Sequence, residues 1–530
     1  MKRYFPILLI LLVASVLRFI VLPSFPAGLN ADEAALGYNA YSLLLTGKDE
    51  HAHILPVNLE SFADFKPALY AYLLVPFVKV LGLTEMAVRL PSAVFSIIGV
   101  FALYVLISRL HSRRLALISS LLLAISPWAL HFSRGGWEVN VATTLMLLGA
   151  TFIVRRQLLF SILCFVLSMY TYQSTRVVAP LLGISLFVIF CRDLFNRPLK
   201  ILAYFLFTVL LLFPLGVSVF RTSAASRLTG VGLLADEGPL NRAKELRSQH
   251  RIWNSLPSKL LHNRPVLYTI QFIVNYTDHF NGNFLFVNGD VIERNRVPET
   301  GLMYLTDVFF LFIGAVVLLR LRRSPLPAVV WTWLLIAPVA SAMTFQTPHA
   351  LRAHSLVIPL IIIVSLGVYR LLAVKRFRLL VILGLVVIYS WQLARYLHQY
   401  YIHYPQTYPA AWSYGFKQLV PYVEAIKDHY QQVLVTDKYD QPYILFLFYS
   451  RFPPQLFQAN HQLTVRDRFN FSTVREYDKY KFSSTPWDKV RDIHSALIVA
   501  APEDIPSVGV NIVQTIYFPS GQPAFKIVSN

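Results

Sequence analysis

Residues 88–109 read VRLPSAVFSIIGVFALYVLISR, and no charged side chain lies between Arg89 and Arg109. A run of this length and hydropathy can cross a hydrocarbon core of about 30 Å as a single helix. Similar runs recur through the first 400 residues, at 4–24, 88–109, 115–132, 137–154, 157–173, 176–191, 199–219, 302–319, 327–345, 354–373 and 379–397. The sequence therefore predicts an α-helical polytopic membrane protein with eleven transmembrane helices and a soluble tail.

The composition agrees with this class. Of the 530 residues, 55% are hydrophobic and only 14% are charged, whereas charged residues make up about 25% of soluble proteins. The net charge is +20, but residues 398–530 hold 12 basic and 11 acidic side chains, so the excess lies in the apolar region. Basic residues beside apolar helices are topology signals, which argues against nucleic-acid binding. Cys164 and Cys191 lie in or beside apolar runs and offer no disulfide framework.

The orientation depends on one short apolar stretch, residues 68–82, which contains Pro76 and Lys79. If this stretch does not cross the membrane, every basic cluster faces the cytoplasm, as the positive-inside rule requires. We therefore predict a multi-pass protein of the cell (plasma or inner) membrane with a cytoplasmic N-terminus, a surface helix over 68–82 and an extracytoplasmic tail. The basic clusters are Lys2/Arg3, Arg109/Arg113/Arg114, Arg155/Arg156, Arg192/Arg197/Lys200, Arg320/Arg322/Arg323 and Lys375/Arg376/Arg378.

This topology divides the chain into a transmembrane domain over 1–397, with long outer loops at 25–87 and 220–301, and a small domain over 398–530. The first apolar run, 4–22, is kept as a span because no small-residue cleavage site follows it. In the tail, a helix is predicted near 415–430, and strand-like runs follow at 432–437 and 495–506. The tail is therefore predicted to be an α/β domain.

The first outer loop begins with the stretch NADEAALGYNAYSLLLTG, residues 30–47. Asn30 or Asp32 is expected to cap a helix that ends before Gly47. Asp32 and Glu33 suit general-base catalysis, because partial burial raises the pKa of a carboxylate and lets it accept a hydroxyl proton. The alternative is an ordinary helix start, in which acidic residues favour the helix dipole.

Two further groups in this loop have functional and structural interpretations. Asp49, Glu50, His51 and His53 are ligand types for a divalent metal, but the same pattern is typical of a solvated turn. Lys66 follows Asp64 at the entry to the predicted surface helix, where an ammonium group pairs with a lipid phosphate or simply snorkels.

Other charged residues lie at the predicted outer ends of the spans. Charges at membrane depth are costly, so several of them together indicate a polar cavity, although each alone suits an interfacial anchor. These cavity candidates are Arg134, Glu138, Arg176, His349, Arg352 and His354.

Five fragments together resemble the C-type glycosyltransferases that use lipid-phosphate-linked sugars. They resemble in particular the glycosyltransferase family 39-like branch of protein O-mannosyltransferases and lipid A aminoarabinose transferases. The fragments are DEAALGYNAYSLLLTGKDE (32–50), FKPALYAYLLVP (65–76), AVRLPSA (87–93), SPWALHFSRGGWEVN (126–140) and PHALRAHSLVIP (348–359). They extend over most of the membrane region in the expected order, whereas the tail matches no motif.

The resemblance implies a C-type glycosyltransferase fold and a set of site residues. Asp32 would be the catalytic base, with Glu33 and Glu138 as supporting carboxylates. Lys66 and Arg352, with His349, would bind the phosphate of the donor.

In some relatives a carboxylate directly precedes the lysine and helps to hold a metal. Here Phe65 takes that place and Asp64 is one residue farther away, so the sequence leaves a divalent metal open and indicates no other cofactor.

The expected function is the transfer of a sugar from a polyprenyl-phosphate carrier to an acceptor on the extracytoplasmic face, within the cell envelope. The acceptor, whether protein, lipid or glycan, the sugar and the polyprenyl length stay open. The alternatives are a transporter or flippase of a lipid-linked glycan, which more often shows inverted repeats, and a non-catalytic scaffold whose tail binds a partner.

Overall fold

The computed structural model describes residues 4–62, 64–221, 232–253, 255–321, 324–374, 376–465, 472–506 and 508–530. The chain folds into two compact units. The first, here called the membrane unit, comprises Met1–Leu17, Phe95–Phe132 and Val139–Arg395. The second, the loop–tail unit, comprises Arg18–Val94, Ser133–Glu138 and Tyr396–Asn530.

Each predicted span coincides with helical structure. The helices are Phe5–Phe19, Glu85–Leu110, Arg113–Ile125, Pro127–Ser133, Glu138–Val154, Leu158–Thr171, Thr175–Phe190, Pro198–Arg221, Asp307–Arg320, Leu326–Ile336, Val339–Ala342, Val357–Leu371 and Arg378–His398. Four described helices are long and apolar enough to cross a membrane, or five if Arg113–Ile125 and Pro127–Ser133 form one bent span. The axes of that pair differ by 57°, because Pro127 disfavours helical geometry at the residue before it.

The polytopic helical class is confirmed, whereas the count of eleven spans stays a prediction. Several apolar helices, such as Leu158–Thr171 and Thr175–Phe190, have only 10–17 residues. Among the basic residues that orient the chain, Lys2, Arg3, Arg322, Arg323 and Lys375 lie outside the described residues.

The second outer loop, predicted at 220–301, is also largely helical where it is described. Its helices are Gly238–Ser248, Leu256–Leu261 and Arg264–Asp278. Residues 222–231 and 254 of this loop lie outside the described residues.

The loop–tail unit combines short helices with two sheets. Its helices are Ala31–Thr46, Leu69–Leu81, Tyr404–Thr407, Phe416–Ile426, Pro442–Ser450, Pro454–Ala459 and Trp487–Val490. Its strands are β1 (Asn58–Ser61), β2 (Asp64–Pro67), β3 (Gln432–Val435), β4 (His461–Leu463), β5 (Val474–Tyr477), β6 (Tyr480–Phe482), β7 (Ala496–Ala500), β8 (Ile512–Tyr517) and β9 (Pro523–Ser529).

The tail strands form one mixed sheet in the order β4-β5-β6-β3-β7-β9-β8. Strand β3 runs parallel to β6 and to β7, while the other pairs are antiparallel. Strands β3 and β7 coincide with the predicted runs at 432–437 and 495–506, and the helix Phe416–Ile426 lies within the predicted 415–430. The α/β class of the tail is therefore confirmed.

The hydrophobic core of the loop–tail unit is shared by two distant parts of the sequence. Ala34, Ala35 and Tyr38, from the helix Ala31–Thr46, are buried in one cluster with Phe448 and Phe457 of the tail. The Tyr38 hydroxyl also donates a hydrogen bond to the carbonyl of Phe452, at 3.0 Å. The first outer loop and the tail, which are predicted from the sequence as parts of two different domains, thus fold together as one body.

Candidate active site

The helix Ala31–Thr46, here called the loop helix, begins with a capping box. The Asn30 side chain accepts a hydrogen bond from the Glu33 amide at 3.0 Å, and the Glu33 carboxylate accepts one from the Asn30 amide at 3.3 Å. Gly47 ends the helix in the left-handed region, with φ of 69°, where glycine avoids the steric cost of a Cβ atom. Asn30, rather than Asp32, is therefore the cap, and the Asp32 carboxylate is left for another role.

Asp32 forms an ion pair with Lys66. The Lys66 ammonium group donates to a carboxylate oxygen of Asp32, and the two side chains are 9% and 28% exposed, respectively. Lys66 lies on β2, opposite Leu59 of β1 in a two-stranded hairpin, and its ammonium group is 4.4 Å from the centre of the Phe62 ring. The predicted base and the predicted phosphate-binding lysine thus lie in direct contact.

Glu33, by contrast, is fully buried in a hydrogen-bond network. Its carboxylate accepts hydrogen bonds from Arg89 Nε at 3.1 Å and from the Gly136 amide at 2.7 Å. A Cβ atom on Gly136 would come within 2.8 Å of Val88, so only glycine lets this backbone approach so closely. Glu33 therefore holds three segments together rather than facing an open site.

Arg89 is the main partner that sequence reasoning missed. Its guanidinium group is buried and also donates to the carbonyls of Leu22 at 3.1 Å and Pro26 at 3.0 Å. In the sequence, Arg89 belongs to the fragment AVRLPSA, which carries only the resemblance. The available signal is a charged residue at the edge of an apolar run, because such a charge needs several partners.

Arg134 and Glu138 also lie in the loop–tail unit. The Arg134 guanidinium donates to the carbonyls of Arg18 at 3.2 Å and Ile20 at 2.8 Å, and it lies 5.4 Å from the centre of the Tyr400 ring. Arg134 therefore ties backbone segments together. Glu138 is 7% exposed at the start of its helix.

Glu138 also adds negative charge near Tyr70. Burial, and then the charges of Glu33 and Glu138, hold the pKa of Tyr70 well above its usual range.

The Asp49 carboxylate is used to shape the turn after the loop helix. It accepts hydrogen bonds from the amides of His51 at 3.0 Å, His53 at 2.9 Å and Glu60 at 3.3 Å. It also contacts the His53 ring at 3.0 Å, which raises the pKa of His53. These hydrogen bonds are typical of a structural turn, which is the alternative to a metal site for Asp49, Glu50, His51 and His53.

Glu50 and Asp64 are both buried. Burial raises the pKa of Glu50 to about 8, and the Tyr443 hydroxyl donates to its carboxyl group at 3.2 Å. Asp64 begins strand β2. In the part of the chain that the structure describes, no group of three or more His, Cys, Asp and Glu side chains is arranged to hold a metal ion.

In the membrane unit, His349 and Arg352 lie around a buried carboxylate, Asp290. Asp290 accepts hydrogen bonds from the Ala350 amide at 2.7 Å and from the Asn295 side chain at 3.0 Å, and His349 Nδ1 is 3.7 Å from it. Burial raises the pKa of Asp290, while the positive charge of Arg352 opposes that shift. Asp290 belongs to no motif that the sequence analysis recognised.

The remaining cavity candidates are also in the membrane unit. Arg352 donates to the Thr344 hydroxyl at 2.8 Å. Arg176 donates to the Met169 carbonyl at 3.3 Å, near the start of its helix. His354 is buried, and its Nδ1 is 3.0 Å from the Thr143 hydroxyl. Their roles stay predictions.

Comparison with known proteins agrees with the resemblance seen in the sequence. The family model of dolichyl-phosphate-mannose-protein mannosyltransferase matches residues 65–217. No curated protein sequence matches the chain.

Solved structures with the same fold include ArnT from Cupriavidus metallidurans, in the apo state and bound to undecaprenyl phosphate. For each, the TM-score is 0.56 at 12% identity, over 99% of this chain and 98% of that one. The archaeal oligosaccharyltransferase AglB from Archaeoglobus fulgidus, in complex with an inhibitory peptide and a dolichol-phosphate, has a TM-score of 0.50 at 12% identity. That match covers 87% of this chain and 65% of AglB.

Proposed function

We propose that this chain, which has the C-type glycosyltransferase fold, transfers a sugar from a polyprenyl-phosphate carrier to an acceptor on the extracytoplasmic face of the membrane. The observation that carries the proposal is the ion pair between Asp32 and Lys66. It provides a proton acceptor and a phosphate-binding cation side by side. The binding of undecaprenyl phosphate to ArnT and of dolichol-phosphate to AglB supports this class of donor.

The reaction is a direct displacement at the anomeric carbon. The acceptor oxygen forms a bond to that carbon as the bond from the carbon to the phosphate oxygen breaks. The electron pair of the breaking bond leaves with the polyprenyl phosphate, and the acceptor proton moves to the Asp32 carboxylate. Both groups are held close together in the free protein, where charges placed in advance can stabilise those that develop in the reaction.

Lys66 has two partners in turn. In the free protein its ammonium group neutralises Asp32. As negative charge grows on the leaving phosphate, the same ammonium group stabilises it, and Asp32 is released to take the proton. A lysine suits this change of partner, because its ammonium group is a compact charge on a flexible stem.

Glu33 and Arg89 are positioning residues in this mechanism. Their buried pair fixes the start of the loop helix, and so the place from which Asp32 projects. Arg352 and His349, in the membrane unit, stay candidates for donor binding, as the resemblance implies. Phe65 occupies the position of the carboxylate that helps to hold a metal in some relatives, and the proposed mechanism needs no metal.

Incubating the purified chain with a panel of polyprenyl-phosphate sugars and cell-envelope acceptors, followed by mass spectrometry of the products, tests this function. Asp32→Asn should reduce turnover by about 10²- to 10⁴-fold, because an amide cannot take a proton. Donor affinity should change little. Asp428→Asn, at a fully exposed tail carboxylate, is the matched control. A fully active Asp32→Asn protein would contradict the proposed base.

A further inference from the structure

Two histidine rings face each other in the loop–tail unit. His51 lies in the turn after the loop helix, and His461 begins strand β4 in the tail. Nδ1 of His51 is 3.1 Å from Nε2 of His461, and the ring centres are 5.0 Å apart.

The outer nitrogen of each ring has its own neighbour. His461 Nδ1 is 2.8 Å from the Phe457 carbonyl oxygen, which only accepts, so Nδ1 carries the proton and Nε2 presents a lone pair towards His51. His51 Nε2 is 3.5 Å from a carboxyl oxygen of Glu50. A carbonyl on the far nitrogen, as at His461, is a usual support of a metal-binding histidine.

The spacing of the two facing nitrogens also suits a metal. With zinc–nitrogen bonds of about 2.0–2.1 Å and tetrahedral angles, two imidazole nitrogens on one ion lie roughly 3.3–3.4 Å apart. The observed 3.1 Å needs only a small opening. We infer that His51 Nδ1 and His461 Nε2 bind a divalent transition-metal ion of the zinc class, with water in its remaining coordination positions.

Both rings are already held in place for this role. The His461 ring stacks on Phe457, with the centres 4.6 Å apart and the planes 15° from parallel. The His51 side chain is 8% exposed.

The proposed site has only two protein ligands. The nearby Asp49 and His53, which have the right chemistry for a metal, contact each other instead. Among the described residues no third ligand completes the set, so water fills the shell and the ion exchanges readily. Imidazole ligands favour zinc, copper and nickel over calcium and magnesium. The bound ion replaces the proton shared by the two rings and joins the first outer loop to the tail.

Zinc binding by the purified full-length chain tests the inference without any assay of activity. Competition against a chromogenic zinc chelator should show one Zn²⁺ ion per chain that His51→Gln and His461→Gln each lose. The matched control is His429→Gln, which removes an exposed tail histidine and should keep the ion. Binding should weaken as the pH falls, because the metal displaces a proton.

A second measurement uses the unmodified chain, so its result does not depend on whether the variants fold. Zn²⁺ should protect His51 and His461 from diethyl pyrocarbonate, mapped by mass spectrometry, and should leave His429 reactive. Equal zinc binding by both glutamine variants and the control, or no protection of the two rings by Zn²⁺, would overturn the inference.

Discussion

Asp32 and Glu33 are adjacent carboxylates with different surroundings. Successive side chains on a helix diverge by about 100°. Asp32 is partly exposed and pairs with Lys66, whereas Glu33 points inward to Arg89 and the Gly136 amide. Asp32, which the resemblance selects, therefore stays the proposed base. Glu33 is better described as a structural carboxylate.

Glu33→Gln should destabilise the protein more than Asp32→Asn does. Removing the charge leaves the Arg89 guanidinium buried without its counter-ion, and breaking a buried pair costs about 3–5 kcal/mol. Thermal unfolding of the full chain in detergent should show a clearly lower midpoint for Glu33→Gln and a nearly unchanged one for Asp32→Asn. Equal midpoints for the two variants would show that the Glu33–Arg89 pair does not hold the loop helix.

Lys66 and Arg352 should each contribute to donor affinity. A charge-assisted hydrogen bond contributes about 1.5–3 kcal/mol, so Lys66→Ala or Arg352→Ala should weaken binding of polyprenyl phosphate about tenfold or more. Lys479→Ala, at the tail surface, serves as a control of equal charge change. Unchanged affinity in both variants would contradict a role for either cation in donor binding.

At the scale of the elements, the loop helix positions Asp32 because it is fixed at its start and along one side. The capping box sets the first turn. Tyr38 and its neighbours pack into the core of the tail. Gly37 allows this approach: a Cβ atom there would come within 2.7 Å of both Phe448 and Val88.

Gly37→Ala should therefore lower the stability although alanine is the better helix former. Overpacking of this kind costs about 1–3 kcal/mol, which outweighs the gain of roughly 1 kcal/mol in helix propensity. Gly384→Ala, in a helix with open space around the new methyl group, is the control and should be neutral or slightly stabilising. A thermal midpoint for Gly37→Ala at or above that of the unmodified chain would show that the contact is not tight.

For the whole molecule, the predicted topology places residues 25–87 and the tail on the extracytoplasmic side. The stretch predicted as a surface helix is a helix over Leu69–Leu81, with Pro76 inside it. Whether this helix crosses the membrane decides on which side of the membrane every later loop lies.

Cysteine labelling on intact cells tests this topology. A cysteine at Thr84 should react with a membrane-impermeant reagent, and one at Ser112 should react only after permeabilisation. The native Cys164 and Cys191 are buried, so they add little background. A sealed Thr84 position, or a Ser112 position open from outside, would contradict the model of eleven spans.

The sequence by itself determined the class of this protein and much of its local structure. Apolar runs, basic clusters and turn residues act over a few neighbouring positions, so the helices, the end of the loop helix at Gly47 and the α/β tail were predictable, whereas the cap was left between Asn30 and Asp32. The resemblance also implied that Asp32 and Lys66 act together, and the two side chains are in contact.

Only the tertiary structure decided which partners meet across long separations. The packing of the loop helix on the tail, the Arg89 network around Glu33, Asp290 beside His349, and the facing rings of His51 and His461 leave no periodic signal in the sequence. The packing of the loop helix arises from burial of apolar side chains, and the other contacts arise because a buried charge or polar atom must find a partner wherever the fold brings one. That requirement depends on the path of the whole chain.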